Sequence, residues 1–156
     1  MREPGSILYV EDDERDVELT LGALEQHHLA NAVTVVRDGE EALDYLYRRR
    51  SFQERPTNDP VLVLLDLKMP KVDGFEVLRQ IKSDARLKMI PVVVLTSSRE
   101  EKDLIASYQL GVNAYVVKPV DFEQFVGAVK DLGLFWLVLN EPTPPAGRTD
   151  DDSPRG

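Results

Sequence analysis

Residues 61–66 read Val-Leu-Val-Leu-Leu-Asp, an unbroken apolar run that ends in the carboxylate of Asp66. A run of this kind, without polar alternation, is typical of a strand that is covered on both faces, as in a parallel sheet. Four other apolar runs, the last of them weaker, are found at Ile7–Val10, Val33–Val36, 92–95 and Ala114–Val117. The sequence therefore predicts five strands of one buried sheet.

Amphipathic patterns with helical spacing follow each of these runs. Helices are predicted over 13–29, from Asp38, over 75–82, from Ser98 and from Asp121. Alternating strands and helices with right-handed crossovers place helices on both faces of a sheet. We predict the α/β class and a flavodoxin-like, doubly wound, five-stranded parallel sheet in the order 2-1-3-4-5 with five helices.

Composition narrows the possible functions. The 156 residues include no cysteine, which excludes disulfides and thiolate chemistry. Their formal net charge of -9 disfavours binding to nucleic acid, whose phosphates attract positively charged proteins. The first residues have no apolar stretch long enough for a signal peptide, so none is expected, and no run approaches the roughly 18 apolar residues of a membrane span. We expect a cytoplasmic protein that binds neither nucleic acid nor membranes. Residues 1–139 are predicted to form one domain, and the acidic, proline-rich residues 140–156 a disordered tail.

Polar side chains follow four of the five predicted strands. They are Glu11 and Asp12 after the first, Asp66 after the third, Thr96 after the fourth and Lys118 after the fifth. Because ligands of such sheets bind outside the carboxyl ends of the strands, we expect one pocket there. Crowded carboxylates repel each other, and Mg²⁺ would relieve this repulsion. A carboxylate beside the metal can attack phosphorus and form an aspartyl phosphate.

Each of these residues alone has an ordinary structural explanation. An aspartate after a strand usually caps a helix or forms a turn, and Asp13 suits that role. A lone threonine at a strand end is usually a satisfied hydroxyl, and a lone lysine is usually solvated. Their joint occurrence at four strand ends favours the functional interpretation.

The motifs that carry these residues are found at 10–13, at 65–70 with Asp73 and Gly74, at 94–97 and at 111–119. In this order and spacing they resemble the receiver domain of bacterial two-component response regulators, over about residues 5–139. The resemblance implies that Asp66 accepts a phosphoryl group from a sensor histidine kinase, with Mg²⁺ as cofactor. It implies the following set: Glu11, Asp12, Asp66 and the backbone carbonyl of Lys68 as metal ligands, and Thr96 and Lys118 as phosphoryl contacts.

The same resemblance implies a switch. Thr96 and Tyr115 would respond to phosphorylation and reshape the surface of the fourth helix, fifth strand and fifth helix. The Lys118–Pro119 peptide bond is expected to be cis. One departure is Lys68, since many receivers have a small residue two positions after the phosphoacceptor. This departure leaves the phosphoryl lifetime open.

Residues 134–139 of the fifth predicted helix are apolar on every side, which calls for cover by another surface. We predict a homodimer interface, formed by Phe135, Trp136, Leu137, Val138 and Leu139. This ending and the long polar loop at 51–60 resemble the single-domain response regulators that accompany phytochromes. With one domain, output is expected through protein contacts or a phosphorelay.

Two alternatives compete with this interpretation. A phosphohydrolase of the haloacid dehalogenase type also uses an aspartate and Mg²⁺, but it needs a second aspartate where this chain has Lys68. We therefore do not expect an enzyme. A receiver-like interaction module that works without phosphorylation stays open, although the intact acidic set argues against it.

Overall fold

The computed structural model describes residues 6–25, 33–55, 59–67, 74–96 and 112–133. Five strands lie in this part of the chain: β1 (Ile7–Val10), β2 (Val33–Val36), β3 (Leu62–Asp66), β4 (Val92–Thr96) and β5 (Ala114–Val117). They form one sheet in the order β2-β1-β3-β4-β5, and every pair is parallel. The predicted sheet and its strand order are confirmed.

Four α-helices lie in the described residues: α1 (Glu14–Glu25), α2 (Gly39–Tyr47), α3 (Gly74–Ser83) and α4 (Phe122–Asp131). Two short 3₁₀ helices follow α2 and α3, at Arg50–Phe52 and Leu87–Met89. The fourth predicted helix, from Ser98, lies outside the described residues. The helix labelled α4 here is therefore the fifth predicted helix, which begins after Asp121. The predicted tail at 140–156 also lies outside the described residues. No helix of the described part is long and apolar enough to cross a membrane.

Carboxylates cap three of these helices, as the sequence pattern predicts. The backbone amides of Asp16, Glu41 and Gln124 donate to the side chains of Asp13, Asp38 and Asp121 at 3.0, 2.8 and 2.8 Å, respectively. Such caps satisfy amide groups that the first turn of a helix leaves without intrahelical acceptors. The capping role predicted for Asp13 is confirmed.

The core consists of two layers, one on each face of the sheet. Alternate strand residues such as Leu8, Val63 and Val94 pack with buried side chains of α2 and α3. Their neighbours Ile7, Leu64 and Val93 pack with buried side chains of α1 and α4. Since successive strand residues point to opposite faces, this two-sided burial explains why the strands are apolar throughout.

Strand register determines where the polar residues at the strand ends lie. Val10 pairs with Leu65, so Glu11 lies level with Asp66. Asp66 pairs with Leu95, and Thr96 in turn pairs with Val117. The chain therefore places Thr96 one residue beyond the level of Asp66, and Lys118 one residue beyond Thr96. All these residues share the carboxyl edge of the sheet.

The loop after α2 is anchored rather than simply solvated. The guanidinium of Arg55, whose side chain is 5% exposed, donates from Nε to the carbonyl of Tyr45 at 2.6 Å and lies over the Tyr45 ring. Arg86 donates to the carbonyl of Leu46 at 2.9 Å and pairs with Asp59. These contacts satisfy carbonyls at the carboxyl end of α2 and tie the loop to the segment after α3.

Gly74 begins α3 at a point where the backbone of β3 approaches very closely. Its amide donates to the carbonyl of Leu67 at 3.0 Å. A Cβ atom at Gly74 would lie 2.4 Å from the Cα of Leu67 and 2.5 Å from the carbonyl oxygen of Asp66. Only glycine allows this approach, which fixes the backbone next to Asp66.

We expect Gly74→Ala to lower the free energy of unfolding by about 1–3 kcal/mol, because the added methyl group can be accommodated only by moving backbone. Gly127→Ala is the matched control, since a Cβ there meets nothing within 4 Å. This exposed helical position should gain up to about 1 kcal/mol from alanine. Urea denaturation of both variants checks the pair, and equal stability of Gly74→Ala and the wild type would contradict the close approach.

Candidate functional site

Three carboxylates meet at the carboxyl edge of the sheet. Ligand oxygens of Glu11, Asp12 and Asp66 all lie within 4.8 Å of one another. Glu11 is fully buried and Asp66 is 5% exposed, whereas Asp12 is exposed. The structure thus brings together three of the four predicted metal ligands, and a set of three carboxylates suits a hard divalent cation such as Mg²⁺.

Burial makes this group of acids electrostatically strained. Burial, a hydrogen bond with Asp66 and the negative charge of Asp66 raise the pKa of Glu11 to about 8, and Lys118 only partly opposes this. A raised pKa means that the charged form of Glu11 is unfavourable in the metal-free protein. A cation in the pocket would relieve that cost.

The ammonium group of Lys118 is the cation that the described residues supply to this pocket. Its Nζ lies 2.9 Å from Asp16 Oδ2, 3.2 Å from Glu11 Oε1 and 3.4 Å from Asp66 Oδ1. Burial lowers the pKa of Lys118, but the hydrogen bond with Asp16 and the charges of Asp66 and Glu11 outweigh it and raise the pKa above its ordinary value. Lys118 is therefore charged throughout the physiological pH range.

The backbone holds Lys118 in place through the neighbouring strand. The amide of Lys118 donates to the carbonyl of Thr96 at 2.8 Å. The peptide bond between Lys118 and Pro119 is cis, as predicted. These features place the two predicted phosphoryl contacts, Thr96 and Lys118, side by side at the strand ends.

Thr96 and Tyr115 lie on the same face of the sheet. Tyr115 packs against the core layer of α2 and α3, and it pairs in register with Val94. Thr96 is buried and lies two residues beyond Val94, so the alternation of strand residues directs it to that same face. The structure thus gives the predicted switch pair neighbouring positions on β4 and β5.

Two residues next to the site were not predicted from the sequence. Asp16, in the first turn of α1, makes the shortest of the contacts between Lys118 and a carboxylate. The buried hydroxyl of Tyr9 lies 3.3 Å from Glu11 Oε1 and 3.0 Å from Thr20 Oγ1. The hydroxyl of Tyr9 is the only polar side-chain group in the run Ile7–Val10, and a polar group in a buried strand is the sequence signal that it needs a hydrogen-bond partner. Asp16 resembles an ordinary acid at a helix start, and no local pattern distinguishes it.

Some predicted site residues lie outside the described residues. They are Lys68, which was predicted to offer its backbone carbonyl to the metal, and the predicted interface residues Phe135, Trp136, Leu137, Val138 and Leu139. Their roles stay predictions.

The arrangement combines the parts that a nucleophilic carboxylate needs. Asp66 carries the potential nucleophile, and Glu11 and Asp12 complete a cation site beside it. Lys118 supplies a fixed positive charge within 3.4 Å of Asp66. Lys118, together with a cation held by the three acids, could neutralise an anionic group that binds to Asp66.

Comparisons with known proteins agree with this geometry. Residues 7–130 match the family described as response regulator receiver domain. The solved bacteriophytochrome response regulator AtBRR is 62% identical, with a TM-score of 0.83, over 90% of this chain and 100% of that chain. The phosphorylated cyanobacterial phytochrome response regulator RcpA is 43% identical, with a TM-score of 0.69, over 86% and 95% of the two chains.

A third relative, response regulator Rcp1 of Synechocystis sp., is 41% identical over 134 residues, which are 86% of this chain and 90% of that protein. A structure of the Mn²⁺-bound form of Rcp1 has a TM-score of 0.68 at 39% identity, over 92% of this chain and 100% of that chain. Family match, sheet topology and the acidic group at the strand ends agree, and the chain therefore belongs to the family of response regulator receiver domains.

Proposed function

We propose that this chain is a phosphorylation switch in which Asp66 accepts a phosphoryl group from a sensor histidine kinase. The observation that carries the proposal is the meeting of Glu11, Asp12 and Asp66 within 4.8 Å, with the Lys118 ammonium 3.4 Å from Asp66. Mg²⁺ would be held by these three carboxylates and the backbone carbonyl of Lys68. When bound, it would neutralise negative charge on the transferred group.

In the proposed transfer, a carboxylate oxygen of Asp66 forms a bond to phosphorus while the bond from phosphorus to the donor imidazole nitrogen breaks. The electron pair of the broken bond stays on the imidazole, which takes up a proton. The product is a mixed anhydride of the Asp66 carboxylate and phosphate. Lys118 pairs with a phosphoryl oxygen, and the Thr96 hydroxyl donates to another.

The charge added at Asp66 would then act through Thr96 and Tyr115. Both lie on the face of α2 and α3, on the adjacent strands β4 and β5. Movement of the Thr96 hydroxyl toward the phosphoryl group leaves space that the Tyr115 ring can enter. The surface around β5 and α4 then changes, and this would be the signal for a partner protein or a phosphorelay.

The donor is proposed to be a phytochrome-type histidine kinase. The support is that AtBRR is described as a bacteriophytochrome response regulator and RcpA as a phytochrome response regulator. We also propose a homodimer formed through residues 135–139, since the apolar sequence of that segment needs cover. On this proposal the protein is a signalling protein of the cytoplasm rather than an enzyme.

The central prediction concerns phosphoryl acceptance. Acetyl phosphate with Mg²⁺ should add one phosphoryl group to the wild type, and Asp66→Asn should take none because its amide is not a nucleophile. Asp13→Asn is the matched control, since asparagine caps a helix as well as aspartate does. Intact-mass spectrometry measures the label.

Full labelling of Asp66→Asn would contradict the role of Asp66. A wild type that takes no label from acetyl phosphate or from a phosphorylated kinase would instead favour the interaction module that works without phosphorylation. Asp13→Asn should be labelled at the wild-type level.

A second prediction concerns pH and the acidic pocket. The pKa of Glu11 is raised from 4.5 to about 8, so the folded protein binds a proton here more tightly than the unfolded chain does. The contribution of Glu11 to stability is therefore lost as the pH rises from about 4.5 to 8. In EDTA at pH 8, Glu11→Gln should be more stable than the wild type by on the order of 2 kcal/mol. This advantage should disappear near pH 4.

Thermal unfolding of both proteins checks this prediction, with Glu18→Gln on the exposed side of α1 as the control. Mg²⁺ should raise the melting temperature of the wild type at pH 8 and have less effect on Glu11→Gln. A Glu11→Gln variant that is less stable than the wild type at pH 8 in EDTA would show that the carboxylate is stabilising.

The dimer prediction is tested by sedimentation velocity, with and without beryllofluoride as a phosphoryl mimic. The wild type should sediment as a dimer in at least one of these states, and Trp136→Ala should shift it toward monomer because a central aromatic anchor is lost. Met89→Ala, at an exposed apolar residue far from the segment in sequence, serves as the control. Equal mass for wild type and Trp136→Ala in both states would rule out this interface.

A further inference from the structure

Lys118 is shared by three carboxylates that come from three different elements. Glu11 follows β1, Asp66 ends β3, and Asp16 lies in the first turn of α1. The contact with Asp16, at 2.9 Å, is shorter than those with Glu11 and Asp66, at 3.2 and 3.4 Å. Asp16 is not part of the group of three acids that could hold a cation.

Asp16 is itself held firmly in position. Its backbone amide donates to the Asp13 carboxylate at 3.0 Å, and its backbone carbonyl accepts a hydrogen bond from the Tyr9 hydroxyl at 3.3 Å. Its side chain is 28% exposed, so the carboxylate lies at the rim of the pocket. The start of α1 therefore presents one fixed negative charge to Lys118 from outside the cation site.

This position matters once a cation occupies the acids. A divalent cation on Glu11 and Asp66 would repel the Lys118 ammonium and compete for the same oxygens. The Asp16 carboxylate is not taken up by that cation, so it can keep the ammonium in the site. A phosphoryl group on Asp66 then adds oxygens that attract Lys118 more strongly than one carboxylate at the rim does.

We propose that Asp16 is a positioning residue, which holds the Lys118 ammonium at the rim of the pocket before phosphorylation and competes with the phosphoryl group for it afterwards. The inference rests on the proposed function of Asp66. Through Lys118, Asp16 would influence both the affinity for the cation and the lifetime of the aspartyl phosphate.

Two effects follow for Asp16→Asn. Without the rim carboxylate, Lys118 pairs only with Glu11 and Asp66, so Mg²⁺ must displace the ammonium and should bind roughly two- to fivefold more weakly. Once Asp66 is phosphorylated, no rim carboxylate competes for Lys118, and the phosphoryl group should last roughly two- to fivefold longer. Asp16→Glu keeps the charge and should restore both values toward the wild type.

Glu18→Gln is the matched control, because it removes the same charge from an exposed position of α1. Isothermal titration gives the Mg²⁺ affinity, and loss of label after removal of acetyl phosphate gives the lifetime. Both effects should be found in Asp16→Asn and be absent from Glu18→Gln. A variant that matched Glu18→Gln in both measurements would overturn the proposal.

A third readout uses the wild type and does not depend on how well any Asp16 variant folds. The ¹H–¹⁵N signal of the Lys118 ammonium, assigned with Lys118→Arg, should be visible in the Mg²⁺-bound protein as a protected group. It should shift when beryllofluoride is added. An ammonium signal that is lost to fast exchange on adding Mg²⁺ would show that Asp16 does not hold Lys118 and would overturn the proposal.

These outcomes separate the two proposals. If the wild type takes no label, the function proposed for Asp66 fails. If the wild type is labelled normally while Asp16→Asn changes neither Mg²⁺ affinity nor lifetime, only the role of Asp16 fails.

Discussion

The structure depends on one electrostatic constraint, the compensation of crowded carboxylates by the Lys118 ammonium group, which is the cation that the described residues bring to them. Parallel pairing places Glu11 and Asp66 level with each other at the carboxyl edge of the sheet. Both are almost fully buried, and buried acids without a counter-charge take up protons. Lys118 reaches this edge from β5 and contacts both of them. The resting site is thus held by an attraction that a cation or a phosphoryl group can replace.

The rest of the fold supports an arrangement that is unfavourable by itself. Two apolar layers cover the sheet, and their burial stabilises the domain enough to tolerate acids at one edge. Gly74 lets α3 begin directly against the backbone of Asp66 and Leu67, which leaves little freedom for the end of β3. Stability and the acidic site therefore come from different parts of the chain. Such separation is expected where a functional site stores unfavourable interactions.

The sheet order and most residues of the candidate site could be predicted from the sequence. The apolar runs indicate the strands, and the polar residues directly after these runs indicate the site. Asp66 and Glu11 could be placed together because parallel strand ends share an edge. Asp16 could not be found in this way, since its partner Lys118 is 102 residues away and the contact depends on where the start of α1 lies relative to the residue that follows β5. The apolar run likewise predicts a buried strand at Tyr9 but not the contact of its hydroxyl with Thr20, because that contact depends on how α1 packs on the sheet.

The position of β5 explains how an event at Asp66 could reach the protein surface. Within the described part of the chain β5 pairs only with β4, so it has one neighbouring strand where β1, β3 and β4 have two. Lys118 directly follows this strand and Tyr115 lies three residues earlier on it, so one short segment touches both the pocket and the proposed switch surface. An edge strand with a single ladder can shift at lower cost than a central strand can. If Lys118 moves from Asp16 to a phosphoryl oxygen, we therefore expect β5 to be the element that transmits the change.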